Sequence, residues 1–182
     1  MSDRVAMERV WVAHTDGEFV QLDLQATMST MTDSPTVVHV PTAMGGVGRQ
    51  SVADFYERWF IGCNPADFAL RSVSRTVGGD RIVDEMVVSF THDIEVPWVL
   101  PGVDPTGRAV SVPVIAVVGF RDGAIDSEHI YWDQASVLAQ TCLLDADLVA
   151  RLPVITEQSD VLDGALPLNQ LALTPRRRRP PA

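Results

Sequence analysis

The sequence predicts an α+β fold in which helices come first and an antiparallel meander of strands follows. Three observations carry this. Apolar residues recur at helical spacing before residue 31 and again between 52 and 60. Four later runs have strand character. Hairpin signals, Gly78-Gly79-Asp80 and Asp122-Gly123, separate two pairs of those runs.

Val10, Val12, Ala13, Phe19, Val20, Leu22, Leu24 and Met28 mark the first helical region, over about 7–31, with a bend or break expected near Asp16-Gly17. Asp33-Ser34-Pro35 ends it, because proline lacks a donor and disfavours helix in the residue before it. Val37 to Pro41 reads as a short β-run, and Gly45-Gly46-Val47-Gly48 as a loop. That loop lacks the Gly-Lys-Ser/Thr ending of a phosphate-binding P-loop. Ser51 is the expected N-cap of a second helix carrying Val52, Phe55, Tyr56, Trp59 and Phe60, which Asn64-Pro65 stops.

Strands are expected over 68–77, then from Met86 to Ile94, where Met86, Val88, Phe90, His92 and Ile94 share a face that His92 interrupts. A proline- and glycine-rich loop, Trp98 to Gly107, leads to Val110–Phe120, apolar on both faces and therefore central. The closing strand, Ile125 to Asp133, puts His129, Tyr131 and Asp133 on one face and Ile130 and Trp132 on the other. A short helical turn, Ala135 to Gln140, follows it.

The 182 residues suit one domain, and no run approaches the roughly 20 apolar residues of a membrane span. A net charge of -10 repels polyanions, so neither nucleic acid nor an anionic membrane is an expected partner. The basic cluster Arg176–Arg179 lies in the tail. All fourteen cationic side chains are arginine, which excludes a lysine Schiff base. Cys63 and Cys142 are too few for a disulfide framework or a zinc site, and no metal is expected. The start lacks a basic region followed by an apolar one, so the expected location is the cytoplasm.

Several stretches together resemble the SnoaL-like polyketide cyclase group of the nuclear transport factor 2-like superfamily. They are the glycine loop and helix from Gly46 to Tyr56, the Pro105-Thr106-Gly107-Arg108 turn before Val110, and the Ala124–Asp133 phrase with Leu138, Gln140 and Leu143-Leu144 behind it. Cys142 departs from the pattern, which has glycine there. The resemblance covers about 7–145. It implies a curved antiparallel sheet wrapped as a cone round the N-terminal helices (a cystatin-like α+β barrel), a homodimer formed through the outer sheet face, and an apolar pocket. It also implies cofactor-independent general acid/base catalysis by an aspartate on the closing strands, as in polyketide cyclases, ketosteroid isomerase-like enzymes and epoxide hydrolases. The same fold also serves non-enzymes. The domain is accordingly placed at 1–145, with a partly ordered extension at 146–174 and a disordered Pro/Arg tail at 175–182.

On that basis Asp133 is the candidate acid/base for a hydrophobic carbonyl- or epoxide-bearing small molecule. At about 3.3 Å per residue, Tyr131 stands about 7 Å and His129 about 13 Å from it along the strand. His92 is therefore its first candidate partner, with Tyr131 beside it at the oxyanion. His129 completes the catalytic set, and His39, Tyr56, Trp59 and Trp98 are the candidate substrate contacts. Asp133 is open to a second reading, as N-cap of the turn that follows it. The histidines are open to another, as hydrogen-bonded core residues. A non-catalytic binding or assembly module is the alternative function.

Overall fold

A computed structural model describes residues 3–173. The proline- and arginine-rich tail expected over 175–182 lies outside them. The first helical region is α1 (Asp3–Asp16), a π-helical turn (Gly17–Gln21) and α2 (Leu24–Ser29). The break thus falls at the expected glycine. Asp23 caps α2 by accepting from the backbone N–H groups of Gln25 and Ala26 at 2.8 and 3.0 Å.

Strand β1 (Met31–His39) is longer than expected and contains Pro35, which sits where the register shifts between Met31 and Thr36. An irregularity of this kind tolerates a residue with no N–H. The glycine segment is not a loop but a short strand, β2 (Met44–Val47), antiparallel to β1. Glycine is required there because a Cβ on Gly45 would come within 1.9 Å of the Val37 carbonyl oxygen. Ser51 is not an N-cap either. Helix α3 (Arg49–Phe55) starts two residues earlier behind Gly48 and runs into a π-helical turn, Tyr56–Phe60.

The meander has the four expected strands, β3 (Ala69–Gly78), β4 (Arg81–Thr91), β5 (Ala109–Arg121) and β6 (Ala124–Trp132), but β4 starts at Arg81 rather than Met86 and stops before His92 and Ile94. The six strands form one curved sheet in the order β2-β1-β6-β5-β4-β3. It is mixed rather than wholly antiparallel, because β1 runs parallel to β6 with Val37 opposite Glu128 and His39 opposite Ile130. Strand β5 is central, and its inner face presents Val110, Val112, Val114, Ala116 and Val118, all buried. Helices α1 and α3 fill the concave side with Trp11, Val52 and Phe55. Each large side chain buried this way contributes about 1.5–3 kcal/mol over leaving it in water.

Helix α4 (Gln134–Gln140) closes the sheet, and three short helices follow: α5 (Ala146–Val149), α6 (Gln158–Leu162) and α7 (Gln170–Leu173). Ser159 on α6 hydrogen-bonds Ser111 of β5 at 2.7 Å, and Asp163 takes both oxygens to Arg71 of β3 at 3.0 and 2.8 Å. Where β6 ends, the Gln140 amide takes over its pairing. Its Oε1 accepts from Ser111 N at 2.7 Å and its Nε2 donates to Ser111 O at 3.1 Å. No helix among the described residues is long and apolar enough to cross a membrane.

Candidate functional site

Between the helices and the concave face lies a cavity of about 200 Å³. Trp11, Phe19, Phe60, Phe68, Trp98 and Ile130 form much of its apolar wall. The polar groups that reach it are few: Glu18, Glu128, His39, Asp84 and Arg75, with Thr15 and Ser72.

Glu18 and Glu128 belong to a buried cluster centred on His14. His14 Nε2 lies 3.0 Å from Glu128 Oε1, 3.2 Å from Glu18 Oε1 and 3.1 Å from the Tyr56 hydroxyl. The Tyr56 hydroxyl is also 3.3 Å from Glu128 Oε1. His14 and Glu18 meet because they are one helical turn apart, and the π-helical turn that begins at Gly17 carries Glu18. Glu128 arrives from β6, on the same face as Ile130.

The state of the imidazole can be read from its other nitrogen. The Thr30 hydroxyl donates its one proton to the Thr27 carbonyl at 2.7 Å, so it must accept from His14 Nδ1–H, also at 2.7 Å. A neutral ring would then turn the Nε2 lone pair toward two carboxyl groups, whereas an imidazolium donates a proton there. Burial by itself lowers the pKa of His14, but the charge of Glu128, then that of Glu18, and hydrogen bonds to both outweigh it and raise it to about 10. Glu18 shifts upward, chiefly because burial disfavours its charged form, with His14 opposing. Tyr56 is pushed well above the usual phenol range by burial and by the two glutamates, so it stays a hydroxyl donor. One imidazolium cannot neutralise two carboxylates in an apolar site. Burial holds Glu18 toward its protonated form.

His14, Glu18 and Glu128 are also the one set among the described residues whose donor atoms, within 4.8 Å of one another, a metal ion could bridge. In the arrangement just derived, the Nε2 proton fills that position.

A second polar pair lies toward the β3 side. Asp84 on β4 accepts from Trp11 Nε1 at 2.8 Å and from Arg75 Nε and Nη2 at 3.1 and 2.6 Å. Trp11 also stacks on His14 with ring centres 5.6 Å apart, so a single indole joins the two polar groups. His39 sits among the rings of Phe55, Phe60, Trp98 and Trp132. Burial lowers its pKa to about 4, against the opposing pull of Glu128 and the Met44 backbone, and its Nδ1 has no hydrogen-bond partner among the described residues.

Of the residues singled out in the sequence, His39 and Trp98 line the cavity. Tyr56 lies behind it in the His14 cluster. Trp59 is 40% exposed, beside a shallow depression with Glu95, Pro97 and Pro101. Asp133 is outside the cavity. It caps α4 by accepting from Ala135 N at 2.9 Å and Ser136 N at 3.4 Å, and Gln158 Nε2 donates to its second oxygen at 2.5 Å. Tyr131 is exposed, and His129, like Tyr131, pairs with an outer-face residue of β5, Val117 and Ile115 respectively. His92 lies one residue beyond β4. It is fully buried, its Nδ1 accepts from Thr106 N at 3.3 Å, and burial lowers its pKa. The structure therefore does not bring Asp133, His92, Tyr131 and His129 together.

The sequence reasoning missed His14, Glu18, Glu128, Asp84 and Arg75. Two signals were available. Glu128 shares strand parity with Ile130 and Trp132, so it interrupts an apolar face, and His14 and Glu18 are four residues apart on a helix.

The family model of the SnoaL-like domain matches residues 6–128. No curated protein matches the chain. Among solved structures, a protein from Jannaschia sp. CCS1 assigned as a SnoaL-like polyketide cyclase superposes with a TM-score of 0.63 at 18% identity, covering 78% of this chain and 94% of that one. TsrD from Streptomyces laurentii gives 0.60 at 18% identity, with 79% and 100% covered. AclR from Streptomyces galilaeus, assigned as a hydroxylase, gives 0.58 at 18% identity, with 78% and 98% covered. At such identity the likeness is one of fold.

Proposed function

Since the chain belongs to the SnoaL-like domain family, we propose that its cavity is a general acid/base site for a hydrophobic small molecule bearing a carbonyl or an epoxide, working without a cofactor. The observation that carries this is that Glu18 and Glu128 both line the cavity and both meet one nitrogen of His14, at 3.2 and 3.0 Å. The acid/base role expected of Asp133 passes in this reading to Glu18. Burial moves its carboxyl pKa upward, toward the range in which a group both gives and takes a proton. Glu128 balances the imidazolium, and Tyr56 and Thr30 hold the ring in place without touching the ligand. In one turnover the ionised form of Glu18 takes a proton from the carbon next to the carbonyl, the electron pair moves to the carbonyl oxygen as an enolate, and the proton returns to carbon, leaving Glu18 ionised again. For an epoxide, the protonated Glu18 delivers its proton to the oxygen as the C–O bond breaks, water adds to the carbon, and the proton that this water sheds returns to Glu18.

Cyclisation, isomerisation, elimination and epoxide hydrolysis all use this exchange. The same reading takes the protein to act in the cytoplasm as a homodimer, joined through the part of the outer sheet face that carries Ile115 and Tyr131.

The test is exchange of solvent deuterium into the α-carbon of 2-tetralone, followed by proton NMR. Wild-type protein accelerates exchange over buffer, and Glu18→Gln reduces that acceleration by about 100-fold or more. One observation favours the alternative, a binding or assembly module without turnover: Asp133, the aspartate on the closing strand, is committed to capping α4. Binding of the ketone with no acceleration of exchange would establish that alternative.

A further inference from the structure

Arg75 is the only cationic side chain among those lining the cavity, apart from the buried His39, which is neutral near pH 7. It stands on the edge strand β3, where Leu70 and Ser72 also reach the cavity, and its side chain folds toward Asp84 and is 29% exposed. Two hydrogen bonds to Asp84 fix the guanidinium, and Trp11 fixes Asp84 in turn. Both carboxylate oxygens of Asp84 are thereby occupied. The guanidinium keeps its Nη1 donors, which no hydrogen bond among the described residues uses. The Asp84 carboxylate balances the charge of Arg75, so what that end of the cavity offers is a guanidinium already fixed in place with N–H donors to spare for an anionic oxygen.

Strand order sets the distance to the acid/base end. Arg75 lies on β3 and Glu128 on β6, three strand spacings apart, or about 14 Å between backbones before the side chains reach inward. A cavity of about 150 Å³ accommodates benzene. One of about 200 Å³ with polar Thr15 and Ser72 on its wall suits one or two fused rings.

Resting on the small-molecule reading above, we propose that the ligand is a flat hydrophobic acid whose carboxylate or ionised enol binds Arg75, with its reactive carbon toward Glu18 and Glu128. Arg75 is then a specificity-determining residue rather than a catalytic one.

The probes are 2-naphthoate and its uncharged isostere 2-naphthamide, titrated calorimetrically at pH 7.5. Wild-type protein binds the acid more tightly than the amide. Arg75→Gln weakens naphthoate by about ten- to a hundred-fold, the range for a charged hydrogen bond, and changes naphthamide by less than about threefold. Because Arg75→Gln leaves Asp84 buried without its cation, the double variant R75Q/D84N is measured alongside and gives the same pattern. Equal affinity of the two probes for wild-type protein, equal losses for both in the variants, or no loss of naphthoate overturns the assignment. Binding of neither probe to wild-type protein overturns this inference, and it overturns the small-molecule reading as well only when 2-tetralone exchange is not accelerated either. Loss of deuterium exchange in Glu18→Gln with naphthoate affinity unchanged in Arg75→Gln overturns the Arg75 assignment alone.

Discussion

His14 and Glu128 join the first helix to the closing strand through a contact of 3.0 Å between two buried side chains. Folding therefore favours the charged imidazole. The pKa of His14 rises from 6.5 to about 10, so its contribution is complete below about pH 6.5 and is lost as the pH climbs through 10. Glu18, shifted upward from 4.5, acts with the same sign, since the fold favours its protonated form. The melting temperature should fall between pH 6.5 and 10, and His14→Gln should flatten that slope. An unchanged slope in the variant would place the titration elsewhere.

Glu18→Gln separates chemistry from stability. The amide keeps an oxygen for the His14 proton and removes a carboxyl group that burial disfavours in its charged form. At pH 8 the variant should melt at or above the wild-type temperature while its exchange activity collapses. A large loss of stability would mean that Glu18 is chiefly a structural partner of the imidazolium.

Thr30→Val removes the acceptor for His14 Nδ1–H inside the protein. An unsatisfied buried donor costs about 1–3 kcal/mol, which urea denaturation would measure. Thr30→Ser should restore stability, and the pH at which exchange activity falls should shift in the valine variant only. A shift shared by serine would argue against the hydroxyl as the fixing group.

Asp133→Ala tests the cap. Loss of an N-cap side chain costs about 1 kcal/mol, so the variant should be modestly destabilised with deuterium exchange preserved. A drop in exchange of more than about tenfold at full folding would return Asp133 to the chemistry.

The strand meander was legible because β5 is apolar on both faces and its neighbours are bounded by glycine turns. The parallel pairing of β1 with β6 was not, since it joins segments about ninety residues apart and no local pattern encodes it. The site was obscured for a related reason. Alternation correctly split β6 into a polar and an apolar face, but it cannot say which one a curved sheet turns inward. His129, Tyr131 and Asp133 drew attention as a chemical group, yet the concave side belongs to Ile130 and Trp132, and Glu128 travels with them. Likewise His14 and Glu18 form a pair on one helix whose meaning appears only when Glu128 arrives from the opposite end of the chain.

The clasp between Gln140 and Ser111 also governs how these molecules behave toward one another at high concentration. Strand β5 runs past the end of β6, and its bare amide and carbonyl there would recruit a strand from another chain. One glutamine amide answers both groups at once, so the sheet is sealed by a side chain where it has run out of backbone, and crowding finds no template for fibre growth at that point.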